Sequence, residues 1–105
     1  MVSTETFRQI ALSFPDTSEK PHFEKTSFRA GKKIFATLDV KNLLGCLKLS
    51  GSDQISFSAN DKTIIYPVPN KWGLQGWTFV NIKKIRKDIF RNLMKAAYTE
   101  VISKK

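Results

Sequence analysis

The feature of this chain that most constrains its fold is an alternation of apolar and polar residues between positions 26 and 49. Two alternating stretches meet at Gly31 in the segment TSFRAGKKIFATLDV. The second stretch collects its apolar residues on one face, namely Ile34, Ala36, Leu38 and Val40. A period of two is typical of a half-buried strand, and a glycine between two such stretches favours a hairpin. Residues 26–40 are therefore predicted to form a β-hairpin.

The next segment, KNLLGCLKLS, continues the alternation and predicts a third strand. Its aligned residues are Leu43, Gly45, Leu47 and Leu49. The link over residues 39–42 is short enough to extend the hairpin into a three-stranded meander. Cys46 is then expected on the opposite face, as an inert strand residue rather than a reactive thiolate.

An amphipathic helix is predicted at each end of the chain. The first has Ser3 or Thr4 as its N-cap and is stopped by Pro15. Its apolar stripe is Phe7, Ile10, Ala11 and Phe14. The second begins near Ile85 and carries a wide apolar stripe opposite a polar face. That stripe consists of Ile89, Phe90, Leu93, Met94, Ala97 and Val101.

The segments between these elements carry mixed signals. The stretch PDTSEKP, residues 15–21, has turn chemistry. Residues 50–61 fit either a short helix capped by Ser52 or an alternating strand, and the helix is favoured. Pro67 and Pro69 confine their stretch to an edge strand or a loop, and WTFVNI is predicted to be a strand. Gly73 and Gly76 mark the turn between the two.

Length and composition indicate one cytoplasmic domain spanning residues 1–105. Apolar residues make up 41% of the 105 positions and aromatic residues 11%, which is enough to build a packed core. The N-terminus lacks the pattern of a signal peptide, and no apolar run approaches bilayer length. The single cysteine excludes an internal disulfide and indicates a reducing compartment.

The net charge of +9 is the strongest compositional signal, and it suggests a polyanionic partner. Plain surface charge that keeps a small domain soluble explains the same number equally well. The excess is concentrated near the end of the chain. Residues 83–105 contain the cations Lys83, Lys84, Arg86, Lys87, Arg91, Lys95, Lys104 and Lys105 against the acids Asp88 and Glu100.

The residues that commonly carry catalysis are scarce. One histidine, His22, and one cysteine, Cys46, do not supply a typical zinc site, so neither a metal nor a cofactor is expected. Glu24 could pair with His22 or Asp16, but no nucleophile elbow, phosphate loop or paired-acid motif surrounds them. The chain is predicted not to be an enzyme, and residues 18–24 are interpreted as a polar loop that leads into a strand.

The segments PHFEKTSFR, KKIFATL and YPVPNKWGLQGWTFVNI, in this order, resemble the MmcQ/YjbR family of small bacterial proteins. The resemblance implies a two-layer α+β fold, with the three-stranded antiparallel meander and C-terminal strands packed against the N- and C-terminal helices. This is similar to secretion-chaperone-like or frataxin-like architecture. Family members are described as DNA-binding through a double-wing arrangement of two hairpins, without an established enzymatic activity.

On this sequence the resemblance implies one wing around Gly31, Lys32 and Lys33. The second wing would comprise Asn70, Lys71, Trp72 and Gly73. Lysines at the tips can neutralise phosphates, and Trp72 can either stack on a base or pack against the sheet. For Trp77, sheet packing is favoured.

Two further groups of residues are candidate sites. His22 is expected to be structural, or at most to line a ligand pocket together with Glu24 and Arg29. Four cations, Lys83, Lys84, Arg86 and Lys87, crowd the start of the last helix. Positive charge at this end of a helix is unfavourable, because it opposes the helix dipole. The cluster is easier to explain if it binds an anion, and tolerated surface charge is the alternative.

Two classes of function follow. The first is a monomeric, non-catalytic domain that binds nucleic acid, DNA in the first instance, weakly and without sequence preference. The second is a protein-binding adaptor or chaperone-like module that uses the sheet face. A membrane-surface helix is disfavoured, because the polar face of residues 88–99 carries few cations.

Overall fold

A computed structural model describes residues 1–22, 24–59 and 61–103, except for the side chain of His22. The helices in these ranges are α1 (Thr4–Leu12), α2 (Gly51–Ser58), α3 (Lys71–Leu74) and α4 (Lys87–Ser103). The strands are β1 (Thr17–His22), β2 (Lys25–Ala30), β3 (Lys33–Asp39), β4 (Leu44–Lys48), β5 (Ile65–Pro67) and β6 (Trp77–Asn81).

The strands form one antiparallel sheet in the order β1-β2-β3-β4-β6-β5. Strands β1 to β4 make a meander, and β6 pairs with β4 so that β5 becomes the second edge. Helices α1, α2 and α4 pack on the face of the sheet that carries Phe28, Leu47 and Thr78. The predicted two-layer α+β fold is confirmed.

Aromatic side chains join the two layers. The ring centroid of Phe7 in α1 lies 5.5 Å from that of Phe28 in β2 and 5.2 Å from that of Phe90 in α4. All three side chains are fully buried. At one edge of this cluster Phe14 stacks on Tyr98 at 4.7 Å. The core therefore forms where both terminal helices meet the meander.

Helix α1 follows its predicted pattern with one difference at its end. Ser3 is the N-cap, since its hydroxyl accepts a hydrogen bond from the backbone N–H of Thr6 at 3.0 Å. The helix ends at Leu12, three residues before Pro15. Phe14 therefore follows the helix, yet it still packs against the core.

The prediction of a turn or polar loop over residues 15–24 is wrong for most of the segment, because Thr17–His22 is the edge strand β1. It pairs with β2 at every position from Thr17 opposite Ala30 to His22 opposite Lys25. An edge strand needs no apolar alternation and tolerates Pro21, so this segment has no apolar period that would indicate a strand.

An ion pair holds β1 against α1. The Arg8 guanidinium lies 2.8 Å from a carboxylate oxygen of Glu19. Its hydrogen bonds lower the pKa of Glu19 below the usual range, although burial opposes this shift. The ion pair therefore orients β1 against α1, although neither residue is deeply buried.

The predicted apolar face of β3 is wrong at Ile34 and Val40. The register places Ile34 opposite Arg29 and leaves Phe35 as an extra residue in a β-bulge. A bulge shifts the alternation by one, so Phe35 is fully buried while Ile34 lies on the other face of the sheet. Val40 lies in the turn after β3 and is 54% exposed.

The predicted helix over residues 50–61 is confirmed as α2, with a different cap. Ser50, rather than Ser52, accepts the capping hydrogen bond, from the backbone N–H of Asp53 at 3.1 Å. Pro67 ends the edge strand β5, as predicted. The segment between β5 and β6 contains the short helix α3 instead of a simple turn.

The C-terminal helix and the strand before it are confirmed. The buried residues of α4 are Phe90, Leu93, Met94, Ala97 and Val101. The hydroxyl of Tyr98 donates to the backbone oxygen of Pro15 at 2.8 Å and so anchors the helix to the α1–β1 connection. No helix in the described part of the chain is both long and apolar enough to cross a bilayer.

Candidate functional site

The two turns implicated by the resemblance lie at the same end of the sheet. The first connects β2 to β3, and α3 directly precedes Trp77 at the start of β6. In the antiparallel register Lys48, at the end of β4, lies opposite Trp77. Because β4 runs against β3, this end also contains Lys33, the first residue of β3. We call it the turn end.

The first turn exposes two lysines. Gly31 has a φ of +63°, which lies in the left-handed region that glycine adopts most readily. Its backbone N–H donates to the backbone oxygen of Asp16 at 3.0 Å, which ties the turn to the start of β1. Lys32 and Lys33 are both exposed at the tip.

The second turn presents an aromatic side chain on a short, well-held helix. The side-chain oxygen of Asn70 accepts from the backbone N–H of Trp72 at 2.8 Å and caps α3. A Cβ atom at Gly73 would collide with the backbone oxygen of Val68, so only glycine fits there. Trp72 is 51% exposed, and Lys71 beside it is exposed as well.

The sheet face opposite α1, α2 and α4, here called the open face, carries a row of residues that runs across five strands. Consecutive members of the row are direct cross-strand partners: Ser27, Thr37, Cys46, Phe79 and Tyr66. The ring centroids of Tyr66 and Phe79 are 5.6 Å apart. The row therefore ends in a pair of half-buried aromatic rings.

Two hollows meet at Ile34 and Trp77: the aromatic hollow lies in the open face, and the cationic hollow lies at the turn end, where residues of α4 also line it. The aromatic hollow has a volume of about 450 Å³ and is lined by Lys25, Ile34, Thr37, Cys46, Val68, Trp72, Trp77 and Phe79. The cationic hollow has a volume of about 420 Å³ and is lined by Arg29, Lys32, Lys33, Ile34, Lys48, Trp77, Glu100 and Val101. An apolar, aromatic surface thus adjoins a strongly basic one.

Side-chain contacts position the cations of these hollows. The Lys48 ammonium lies 6.0 Å from the ring centroid of Trp77 and donates to the backbone oxygen of Gln75. The Nε atom of Arg29 is buried, and it has no hydrogen-bond partner within the described ranges. Leaving a buried donor unsatisfied is costly, and this Nε atom has too little accessible surface for a ligand in the open hollow to reach it.

The third basic cluster lies at the opposite end of the sheet. Lys83, Lys84, Arg86 and Lys87 follow the end of β6, about 13 Å of strand away from Trp77. All four are exposed. The Arg86 guanidinium pairs with the Asp88 carboxylate at 3.1 Å. Asp88 lies in the first turn of α4, where its negative charge interacts favourably with the helix dipole and offsets the unfavourable effect of the nearby cations.

The structure does not bring Glu24 and Arg29 together. Glu24 lies in the turn before β2 and Arg29 near the end of that strand, which separates them by about 17 Å. The backbone of His22 ends β1 beside Glu24, and its side chain is outside the described part of the structure. Arg29 instead joins Lys32 and Lys33 in the cationic hollow.

Several residues of the open face were not among the sequence candidates, namely Lys25, Ile34, Lys48 and Phe79. The alternation from Trp77 to Val80 could have indicated the aromatic surface of the open face. Two aromatic residues in this stretch alternate with two residues that are buried on the other face. Trp77 is half-buried by the sheet, as sequence reasoning favoured, yet it also lines both hollows.

Cys46 is expected to react slowly with thiol reagents in the folded protein. Burial raises its pKa from 9.0 to about 11, with Lys25 partly opposing the shift. Because the thiolate is the reacting form, its population at pH 8 should fall about 100-fold relative to a thiol with the ordinary value. The test is the rate of modification by a disulfide reagent at pH 8, native and in urea. Equal rates in the two conditions would contradict the prediction.

Metal-binding residues do not cluster in the described ranges: no group of three or more histidine, cysteine, aspartate or glutamate residues could hold an ion. The side chains of the open face offer hydrogen bonds, positive charge and aromatic surface. They are suited to binding an anionic ligand that has a flat, apolar part.

Comparisons with known proteins agree with this architecture. Residues 12–100 match the model of the YjbR family. The crystal structure of Deinococcus radiodurans protein DR2400, a DUF419-domain protein, superposes with a TM-score of 0.85 at 20% identity, covering 99% of this chain and 81% of that one. At this identity the likeness shows the shared fold. A search of curated proteins gives no match.

The family match extends from the end of α1 almost to the end of α4, so it includes both turns and every strand. It confirms the resemblance that the sequence segments indicated. The chain belongs to the YjbR family.

Proposed function

We propose that this protein is a non-catalytic DNA-binding domain whose contact surface is the turn end together with the adjoining open face. The single observation that carries the proposal is the cationic hollow, where Arg29, Lys32, Lys33 and Lys48 surround one site next to exposed aromatic rings. Cations grouped in this way neutralise neighbouring phosphates and release their counterions, which drives non-specific binding.

The chemistry of the hollows supports a binding role rather than catalysis. Their linings consist of cations, aromatic rings, aliphatic side chains, a threonine, Cys46 and the carboxylate of Glu100. Burial raises the pKa of Cys46, which disfavours a nucleophilic thiolate. We place this binding domain in the cytoplasm as a monomer.

Two matched charge reversals test which end of the sheet binds. Lys32→Glu with Lys33→Glu alters the turn end, and Lys83→Glu with Lys84→Glu alters the other end; each pair lowers the net charge of +9 by four. The wild-type protein should bind duplex DNA with a Kd in the micromolar range or weaker, and about four phosphate contacts give a slope of log K against log salt near −3.6. The turn-end pair should reduce the size of this slope by about 2, and the other pair by less than 1.

Fluorescence anisotropy with a labelled duplex between low and physiological salt measures these slopes. A larger effect of the Lys83 and Lys84 reversal would assign binding to the start of α4 instead. Absence of binding at low salt, or binding that ignores salt and both reversals, would refute the proposal. It would then favour the second candidate function.

The second candidate is a protein-binding adaptor, and the observation in its favour is the apolar part of the open face. Ile34, Val68, Trp72, Trp77 and Phe79 all line one hollow. A partner held by this surface would bind through apolar burial, so its affinity would depend little on salt. Salt dependence therefore separates the two functions.

A further inference from the structure

We infer that the nucleic acid on the open face is single-stranded, with a base stacked in the aromatic hollow and its phosphate in the cationic hollow. This inference rests on the proposed function, because it specifies the ligand of the same surface. It depends on two features of the described residues: the aromatic lining and the adjoining cations.

The aromatic lining favours unpaired bases. Trp72 projects from α3 with half of its surface exposed, and Trp77 and Phe79 occupy alternate positions of β6 on the same face. Their rings line one hollow of about 450 Å³. In a duplex the base faces are covered by their neighbours, whereas a single strand can present them to aromatic side chains.

The position of the cations fits the backbone of such a strand. The two hollows share Trp77 and Ile34, so a base in one places its phosphate at the edge of the other. Arg29 lines this hollow, and Lys32 lies beside it at the exposed turn. The positive charges of both side chains are suited to a phosphate group.

The arrangement also parallels a known mode of recognition. In the RNA-recognition motif, aromatic residues on the face of an antiparallel sheet stack two or three bases while helices cover the opposite face. Here too three helices, α1, α2 and α4, pack on one face of the sheet, and the rings of Trp77 and Phe79 lie on the other. The likeness is limited to this division between an aromatic face and a helix-covered face, because this chain has its own strand order and ring positions.

The first test compares a ten-nucleotide thymidine strand with a duplex of ten base pairs at the same salt concentration. A purely electrostatic surface prefers the duplex, which has the higher charge density. If bases stack on the rings, the single strand should bind at least about 10-fold more tightly. Both tryptophans of the chain line the aromatic hollow, so intrinsic fluorescence should be quenched by the single strand and not by the duplex.

The second test removes one ring. Trp72→Ala should weaken single-strand binding about 5- to 150-fold and change duplex binding less than about 2-fold, and Trp72→Phe should restore most of the loss. Leu74→Ala is the matched control, because Leu74 lies in the same helix, is 91% exposed and lines neither hollow. Circular dichroism and thermal unfolding show whether each variant is folded.

The outcomes separate this inference from the function on which it rests. Duplex binding that equals or exceeds single-strand binding, with no effect of Trp72→Ala, would overturn the single-strand inference and leave DNA binding in place. Single-strand binding that is lost equally in Leu74→Ala would also overturn it. If neither ligand binds at low salt, the proposed function itself is refuted.

Discussion

Replacing Phe7 by alanine is expected to lower the free energy of unfolding by about 3 to 5 kcal/mol. Phe7 is fully buried and contacts the rings of Phe28 and Phe90, so it links α1 both to the sheet and to α4. Its ring also fills the space above Gly45 in β4. Truncation would leave a cavity at the centre of the core, where rigid neighbours from three elements cannot all close in.

Urea denaturation followed by circular dichroism measures this loss. Leu12→Ala is the matched control, because Leu12 lies in the same helix but is 37% exposed. Its substitution should cost less than about 1 kcal/mol. Equal losses in the two variants would show that α1 does not use this face to pack on the sheet.

Replacing Gly76 by alanine is expected to destabilise the fold by about 2 to 4 kcal/mol, through backbone strain and overpacking together. Gly76 has a φ of +105°, a conformation that side chains strongly disfavour. A Cβ atom there would also collide with the backbone oxygen of Leu49. That oxygen lies beside a hydrogen bond of 2.9 Å between the Leu49 N–H and the Gly76 oxygen, so neither segment can move away freely.

Gly51→Ala is the control for this substitution. A Cβ atom at Gly51 would meet nothing within 4 Å, and Gly51 is the first residue of α2. Alanine should be neutral there, or stabilise the helix by up to about 1 kcal/mol. The midpoint of thermal unfolding should therefore fall in Gly76→Ala and stay unchanged or rise in Gly51→Ala. A Gly76→Ala variant as stable as the wild type would disprove the close approach of the two segments.

Local patterns along the chain were sufficient to predict most of the secondary structure. The alternation around Gly31 identified the β2–β3 hairpin, and the stripes at helical spacing identified α1 and α4. These elements each bury one face, so the period of their apolar residues reports their conformation directly. β1 was missed for the opposite reason: its stability comes from pairing with β2 and from the Arg8–Glu19 ion pair, which leave no apolar period.

The candidate site was predictable only in part. The lysine-bearing turns were identified from the chain, since glycine, lysine and asparagine mark turns locally. The aromatic hollow was not, because its lining comes from six separate segments of the chain. The alternation along β3 predicts Ile34 in the core, and only the bulge at Phe35 places it beside Trp77 in the hollow.

The amino-acid sequence alone thus determined most of the elements, the fold class, the family and the positive charge. Each of these depends on neighbours along the chain or on composition. The tertiary structure decided which cations lie together: it placed Arg29 with Lys32 and Lys33, and separated this group from Lys83 and the start of α4. The reason is that strand order and register bring distant residues to one end of the sheet, and neither quantity is encoded in any single segment.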